Sequence, residues 1–160
     1  MTVQGEGAHT GTSAWFIRLG GCDVGCAWCD VKESWDVSAH PTVSCAVLAE
    51  EAKASNAPIC VVTGGEPAMH DLGPLTEALH AAGIQTHIET SGAHALTGQW
   101  DWVTLSPKRF KAALSHVFPL ADELKIVVVN RQDLAWAEEH ASLVRPDTVL
   151  FLQPEWDRRE

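Results

Sequence analysis

The sequence predicts one α/β domain on a parallel sheet, either barrel-like or an open layer, and three observations carry that expectation. Six short apolar, β-rich runs alternate with stretches of helical period along the chain. The 160 residues are 46% hydrophobic and 20% charged, a balance that suits one compact domain with a sizeable core. The residue clusters best suited to chemistry fall just after the strand runs, at the C-terminal sheet edge where parallel α/β folds build their sites.

In chain order, Ala14 to Gly20 is apolar and β-rich and stops at Gly20-Gly21, so it reads as a strand feeding the loop beyond. Thr42 to Ser55 places Cys45, Leu48, Ala49 and Ala52 on one helical face, with Pro41 before it and a Ser-Asn-Ala-Pro stop after it. Ile59 to Thr63 is a buried strand. Leu72 to Ala82 is the next helix, closed by Gly83, and Ile84 to Glu89 the next strand. Trp102 to Ser106 follows the turn residues Gly98 and Asp101 as a fourth strand. A short helix is expected over Phe110 to Ser115, then a strand at Leu124 to Val129, a helix at Gln132 to Ala141 and a last strand at Val149 to Gln153. There is no repeat, linker or low-complexity tract, and the whole of 1–160 reads as a single domain.

Asp and Glu number 21 against 11 Lys and Arg, a formal net charge of -10, which argues against a partner recognised through a phosphate backbone. The apolar runs are far shorter than the ~20 residues of a membrane-spanning helix. Met1 to Gly11 has no Lys or Arg and no apolar core of a leader, so the expected location is the cytoplasm.

Of five cysteines, Cys22, Cys26 and Cys29 form a C-x3-C-x2-C run. Random placement would give that spacing in only ~0.005 of such chains, so the run needs a chemical reason. An odd count in a chain without an export signal argues for reduced thiols rather than a disulfide framework. Three thiolates are one ligand short of a closed metal site and leave a coordination position open. A 4Fe-4S cluster with one open iron and a catalytic zinc completed by His9 or His40 both meet that count, although all-sulfur ligation favours iron–sulfur chemistry. Cys45 on a helix face and Cys60 in a buried strand read as small packing residues.

The cysteine run, with Trp28 directly before Cys29, resembles the signature of radical S-adenosylmethionine enzymes. Gly64-Gly65-Glu66-Pro67, placed after the second strand, is similar to the glycine-rich segment with which that superfamily receives the methionine end of S-adenosylmethionine, where glycine lets backbone approach ligand closely. Further segments resemble, in order, the motifs of the 7-carboxy-7-deazaguanine synthase family: Val3-Gln4-Gly5-Glu6-Gly7, Phe16 to Cys22, Cys29-Asp30, Glu89-Thr90-Ser91-Gly92, Ser106-Pro107-Lys108 and Gln153-Pro154-Glu155-Trp156. The match runs from Val3 to Trp156.

The resemblance implies an incomplete TIM-like β/α barrel of about six parallel strands with the cluster loop at its C-terminal rim. It implies that Cys22, Cys26 and Cys29 hold a 4Fe-4S cluster and that Gly64, Gly65, Glu66, Glu89, Ser91, Ser106, Pro107, Lys108, Gln153, Pro154, Glu155 and Trp156 hold or line S-adenosylmethionine. Val3, Gln4, Gly5, Glu6, Arg18 and Thr63 would receive 6-carboxy-5,6,7,8-tetrahydropterin, Arg18 as the bidentate cation for its carboxylate. Arg18 sits in an otherwise apolar strand, where a buried charge would need a partner. The reaction so implied is radical ring contraction to 7-carboxy-7-deazaguanine with loss of ammonia, in queuosine and 7-deazapurine biosynthesis, with no catalytic nucleophile from the protein. An external reductant such as flavodoxin and a homodimer are implied as partners, with Trp35, Trp100 and Trp136 serving either a dimer surface or the core.

Two departures from the family pattern stand out. The position where relatives carry a Thr that helps hold Mg2+ is Val31, which has no side-chain oxygen, leaving substrate oxygens, water and Asp30 for any magnesium. The chain also starts two residues before the Val-Gln-Gly-Glu motif and stops soon after Gln-Pro-Glu-Trp, so it is expected to be clipped at both ends relative to the family. The cysteine and Gly-Gly-Glu-Pro motifs alone also fit another radical S-adenosylmethionine enzyme, such as a glycyl-radical activase, or a non-catalytic metal-binding relative.

Overall fold

Short aliphatic runs bounded by turn residues bury both faces only inside a layered α/β sheet. In the computed structural model, which describes residues 1–155, all six predicted strands form. They are β2 (Ser13–Leu19), β3 (Ile59–Gly64), β4 (Gln85–Thr90), β5 (Trp102–Leu105), β6 (Glu123–Val128) and β7 (Val149–Pro154). These six pair side by side in sequence order, every pair parallel. A two-residue strand, β1 (Thr2–Val3), adds an antiparallel edge beside β2. Two exposed residues carry no hydrophobic period, which is why β1 is not legible in the sequence.

The helices are α1 (Cys45–Ala54), α2 (Gly73–Ala81) and α3 (Gln132–Ala141), each within two or three residues of its predicted bounds. Ser44 caps α1 by accepting from the Val47 N–H at 3.4 Å. The curled sheet is an incomplete TIM-like barrel with helices on its convex side.

Strand alternation sends Ile17, Cys60, Val62, Ile88 and Val103 to the convex side, where they pack on Ala49 and Ala52 of α1 and Leu75 and Leu79 of α2. Leu105, Leu124 and Ile126 form a second core with Val117, Phe118 and Ala137 of α3. Cys60 is fully buried and burial pushes its thiol up to about 12, in keeping with a packing role. Trp100 and Trp136 also pack against these cores.

The helix predicted at Phe110 to Ser115 does not form. Lys108 and Lys111 instead pair in an antiparallel bridge around a tight turn, and the Leu114 N–H donates to the Gly92 carbonyl at 2.8 Å. Six residues offer too few internal bonds to recover the cost of nucleating a helix, so the backbone takes tertiary partners. A 3-10 turn follows at Phe118–Leu120. Among the described residues no helix is long and apolar enough to cross a membrane.

Leu79 is wholly buried between α2 and the sheet, and Leu79→Ala is expected to lower unfolding free energy by about 2–5 kcal/mol in urea titrations. Leu134→Ala, at an exposed site of α3, is expected to stay within about 0.5 kcal/mol of the parent.

Candidate active site

The C-terminal ends of β2 and β3 meet backbone to backbone. The Gly65 N–H donates to the Leu19 carbonyl and the Glu66 N–H to the Gly21 carbonyl, both at 2.8 Å. A Cβ at Gly65 would fall 2.1 Å from the Gly21 oxygen and 3.0 Å from Cys22 Cβ, and one at Gly64, where φ is +129°, 2.3 Å from Leu19 backbone atoms. The close approach expected of this pair toward a ligand is therefore made first to the cysteine loop itself.

That loop brings Cys22, Cys26 and Cys29 into one contact cluster with Val24, Trp28 and Ala93. All three thiols are free, Cys26 buried and the other two half-buried. Burial pushes the Cys26 thiol up, opposed by the nearby Lys108 ammonium. The loop is pinned from outside through Asp23, which accepts from Lys111 Nζ at 2.5 Å and lies 3.0 Å from His94 Nε2. Those bonds hold the Asp23 carboxyl below its ordinary range.

Among the described residues no three His, Cys, Asp or Glu side chains converge on a single-ion position. Neither histidine considered for zinc stands with the thiols, since His40 bonds the Glu33 carbonyl at 2.9 Å and His9 packs against His87 and Trp102. A cluster whose irons each take one thiolate needs no common point, and three free thiols on one loop suit it.

Around the rim, Glu66 is 1% exposed and its carboxylate accepts four bonds: from Ala68 N–H (3.0 Å), Thr90 Oγ1 (2.5 Å), Ser91 N–H (2.8 Å) and Ser91 Oγ (2.5 Å). Its chemistry is spent on tying the loop after β3 to the end of β4, so it positions Ser91. Ser106 and the buried Pro107 follow β5, and Lys108 Nζ donates to the Ser106 carbonyl and hydroxyl at 2.6 and 2.5 Å. Lys108 also stands 5.7 Å from the Trp28 ring centre, which links this loop to the cysteine loop. Burial, then repulsion by Lys125, brings the Lys108 ammonium down to about 8.

The concave face forms the floor. Trp15, Ile17 and Leu19 turn toward the helices, so Arg18 turns inward, paired in register with Thr63. The expectation of a buried, partnered Arg18 is not met: it is exposed and carries no ion pair among the described residues, a cation available to a ligand. The segment after β1 crosses the floor. Gln4, 8% exposed, donates from Nε2 to Glu89 Oε1 at 2.8 Å, and Glu6 accepts from Lys125 Nζ and from Gln153 Nε2, each at 2.6 Å. Lys125 Nζ also stands 3.8 Å from Glu89 Oε2. Burial favours neutral forms, yet Lys125 with Gln153 keeps the Glu6 carboxyl below its ordinary value, and Glu89 with Glu6 carries Lys125 above its own.

Lys125 is a site residue that the sequence reading missed. The signal was present, a lone charge inside the apolar run Leu124 to Val128, the same anomaly that singles out Arg18. Val3 and Gly5 are exposed beside this network, Pro154 is exposed at the end of β7 and Glu155 is buried beyond it. Trp156 lies outside the described residues. Asp30 is exposed, and the Val31 carbonyl accepts from Ser34.

The radical SAM superfamily model matches residues 16–105, which span β2 through β5. A 7-carboxy-7-deazaguanine synthase of Flavobacterium psychrophilum is 52% identical over 159 residues, 99% of this chain and 75% of that protein. One from Escherichia coli K12 is 37% identical over 181 aligned residues, 96% of this chain and 81% of that protein. The crystal structure of QueE from Escherichia coli superimposes with a TM-score of 0.83 at 38% identity, covering 96% of this chain and 79% of that one.

Gly65→Ala is expected to displace the Cys22 segment while leaving the sheet intact. Iron retained after anaerobic reconstitution should bind about tenfold more weakly or worse, with the far-ultraviolet dichroism of the parent.

Proposed function

The chain belongs to the 7-carboxy-7-deazaguanine synthase family of the radical SAM superfamily, and we propose that it converts 6-carboxy-5,6,7,8-tetrahydropterin to 7-carboxy-7-deazaguanine with loss of ammonia. The observation that carries this reading is the pairing of an uncommitted inward cation, Arg18, with a floor of alternating donors and acceptors built by Gln4, Glu6, Glu89, Lys125 and Gln153. Such a floor suits a flat heterocycle with an amino–oxo edge and a carboxylate at the far end.

Cys22, Cys26 and Cys29 would hold a 4Fe-4S cluster, which with S-adenosylmethionine supplies, when bound, the one-electron radical chemistry of the ring contraction. The chain's own residues bind and orient. Arg18 takes the pterin carboxylate, Thr63 beside it closes that end, and Glu6 and Gln4 read the heterocycle's edge. Lys125 keeps Glu6 ionised, so it accepts hydrogen bonds rather than donating them. Glu89 and Ser91 stand between floor and rim, Ser91 placed by Glu66. Ser106, Lys108 and the segment from Gln153 receive the nucleoside cofactor.

Any Mg2+ is carried by substrate oxygens, water and Asp30, since Val31 offers no side-chain oxygen. The same reading places the enzyme in the cytoplasm, in the pathway to queuosine and other 7-deazapurines, with a one-electron donor such as flavodoxin as reductant. It takes the enzyme to be a homodimer, supported by the outward Leu150 and Leu152 of β7, 55% and 56% exposed.

The primary test is anaerobic reconstitution with iron and sulfide, followed by substrate, S-adenosylmethionine and reductant, with product read by mass spectrometry. Product without net loss of S-adenosylmethionine is expected; cleavage of S-adenosylmethionine with no deazaguanine would overturn the substrate assignment. Arg18→Ala is expected to raise KM for the carboxylated pterin about 10- to 100-fold, the worth of a charge-assisted contact, with unchanged iron content. Lys125→Met leaves Glu6 and Glu89 without their counter-charge. Glu6, held low by Lys125, then titrates at higher pH, so the acid limb of the pH–rate profile should move to higher pH.

A further inference from the structure

Beneath the floor, toward the N-terminal ends of the strands, lies a second polar space that the proposed reaction does not use. The Gly7–His9 turn closes it from below, held against β6 by the Ala8 N–H donating to Glu123 Oε2 at 2.9 Å. His9, His87, Trp102 and Glu123 line it from this side and Gln4, Glu6 and Glu89 from the floor side. His87 precedes Glu89 by two residues on β4, about 6–7 Å along the strand. The free space accommodates a single water-sized molecule.

Its walls hold polar groups with nothing to bond. Trp102 Nε1 and His9 Nε2 are buried without a partner among the described residues, although their rings stand 4.6 Å apart edge to face. His87 is 5% exposed and makes no side-chain hydrogen bond among them. Burial, and then the neighbouring His9, bring the His87 ring down to about 4, so it stays neutral and offers a lone pair. Leaving such groups unsatisfied costs about 1–3 kcal/mol each, so the cavity demands an occupant.

The donor and acceptor pattern defines it. Trp102 Nε1–H can only donate, so the occupant needs a lone pair; neutral His87 accepts at one nitrogen, so it must also donate. An ammonium ion would satisfy the carboxylates but leave the Trp102 N–H without an acceptor. Water and neutral ammonia meet both demands in the space available. The ring contraction loses the elements of ammonia and nothing else, and Glu6 and Glu89 border both floor and cavity.

On the reading given under Proposed function, we propose that this cavity receives the ammonia released from the pterin, in the place of a water and away from the cofactor rim. No bond forms or breaks there.

The test reads binding apart from turnover. In reconstituted protein with 15N-labelled tryptophan, the Trp102 indole signal, identified by its loss in Trp102→Phe, is followed as ammonium chloride is added at two pH values, with potassium chloride as control. A saturable shift that tracks neutral ammonia is expected. No shift, or one equal to that with potassium chloride, would mean water is the only occupant and would overturn the proposal. Should Trp102→Phe not fold, His9→Asn identifies the same signal by displacing it. In turnover, Trp102→Phe is expected to weaken inhibition by ammonia about 5- to 10-fold, the worth of one hydrogen bond; unchanged inhibition would also overturn the proposal. Ammonia binding without deazaguanine formation would instead refute the substrate reading and leave the cavity's preference standing.

Discussion

The contact on which the site depends is made without side chains, where the backbone ends of β2 and β3 lock together through Leu19, Gly21, Gly65 and Glu66. Any Cβ at Gly64 or Gly65 would fall inside the Leu19 to Cys22 backbone. Two successive glycines therefore let the cysteine loop rest directly on the neighbouring strand end, and its position follows from the sheet rather than from the loop's own stiffness. Glu66 extends the same lock to the next strand by spending its buried carboxylate on Thr90 and Ser91. Three strand ends thereby share one rigid edge.

Below that edge the constraint is electrostatic. Lys125 and Glu123, buried on β6, are tolerable only because the segment from Gln4 to His9 folds back across the concave face and supplies partners. Glu6 and Gln4 thus complete the polar satisfaction of the barrel while presenting the surface on which a heterocycle would lie. Arg18, without an ion pair among the described residues, stands out against that background, since Gln4, Glu6, Glu89 and Lys125 on the floor are engaged with one another.

The half-barrel separates three environments along its axis. Thiols gather with Val24 and Ala93 at the rim, charged and amide groups cover the floor, and two imidazoles, an indole and the Glu123 carboxylate line the base. This layering follows from strand alternation, which aims every second residue of six parallel strands into the same curved space.

Much of this was legible in one dimension. Apolar period and turn punctuation mark all six parallel strands and the three long helices, because these depend on neighbours within a few residues. The cysteine spacing and the strand-end motifs likewise announce the rim chemistry. What the sequence could not decide is which partners those residues choose. Lys125 is a lone charge in an apolar strand, Glu66 proves to bond Thr90 and Ser91, the Gly64-Gly65 pair also seats the cysteine loop, and Phe110 to Ser115 has the composition of a helix that does not form. Each outcome turns on contacts across the curl of the sheet, the longest joining Glu6 to Gln153 over 147 positions. Local pattern determines the elements and the residue types at their ends; only closure of the sheet brings remote groups within bonding distance, and burial then decides which of them are consumed by the fold and which remain for chemistry.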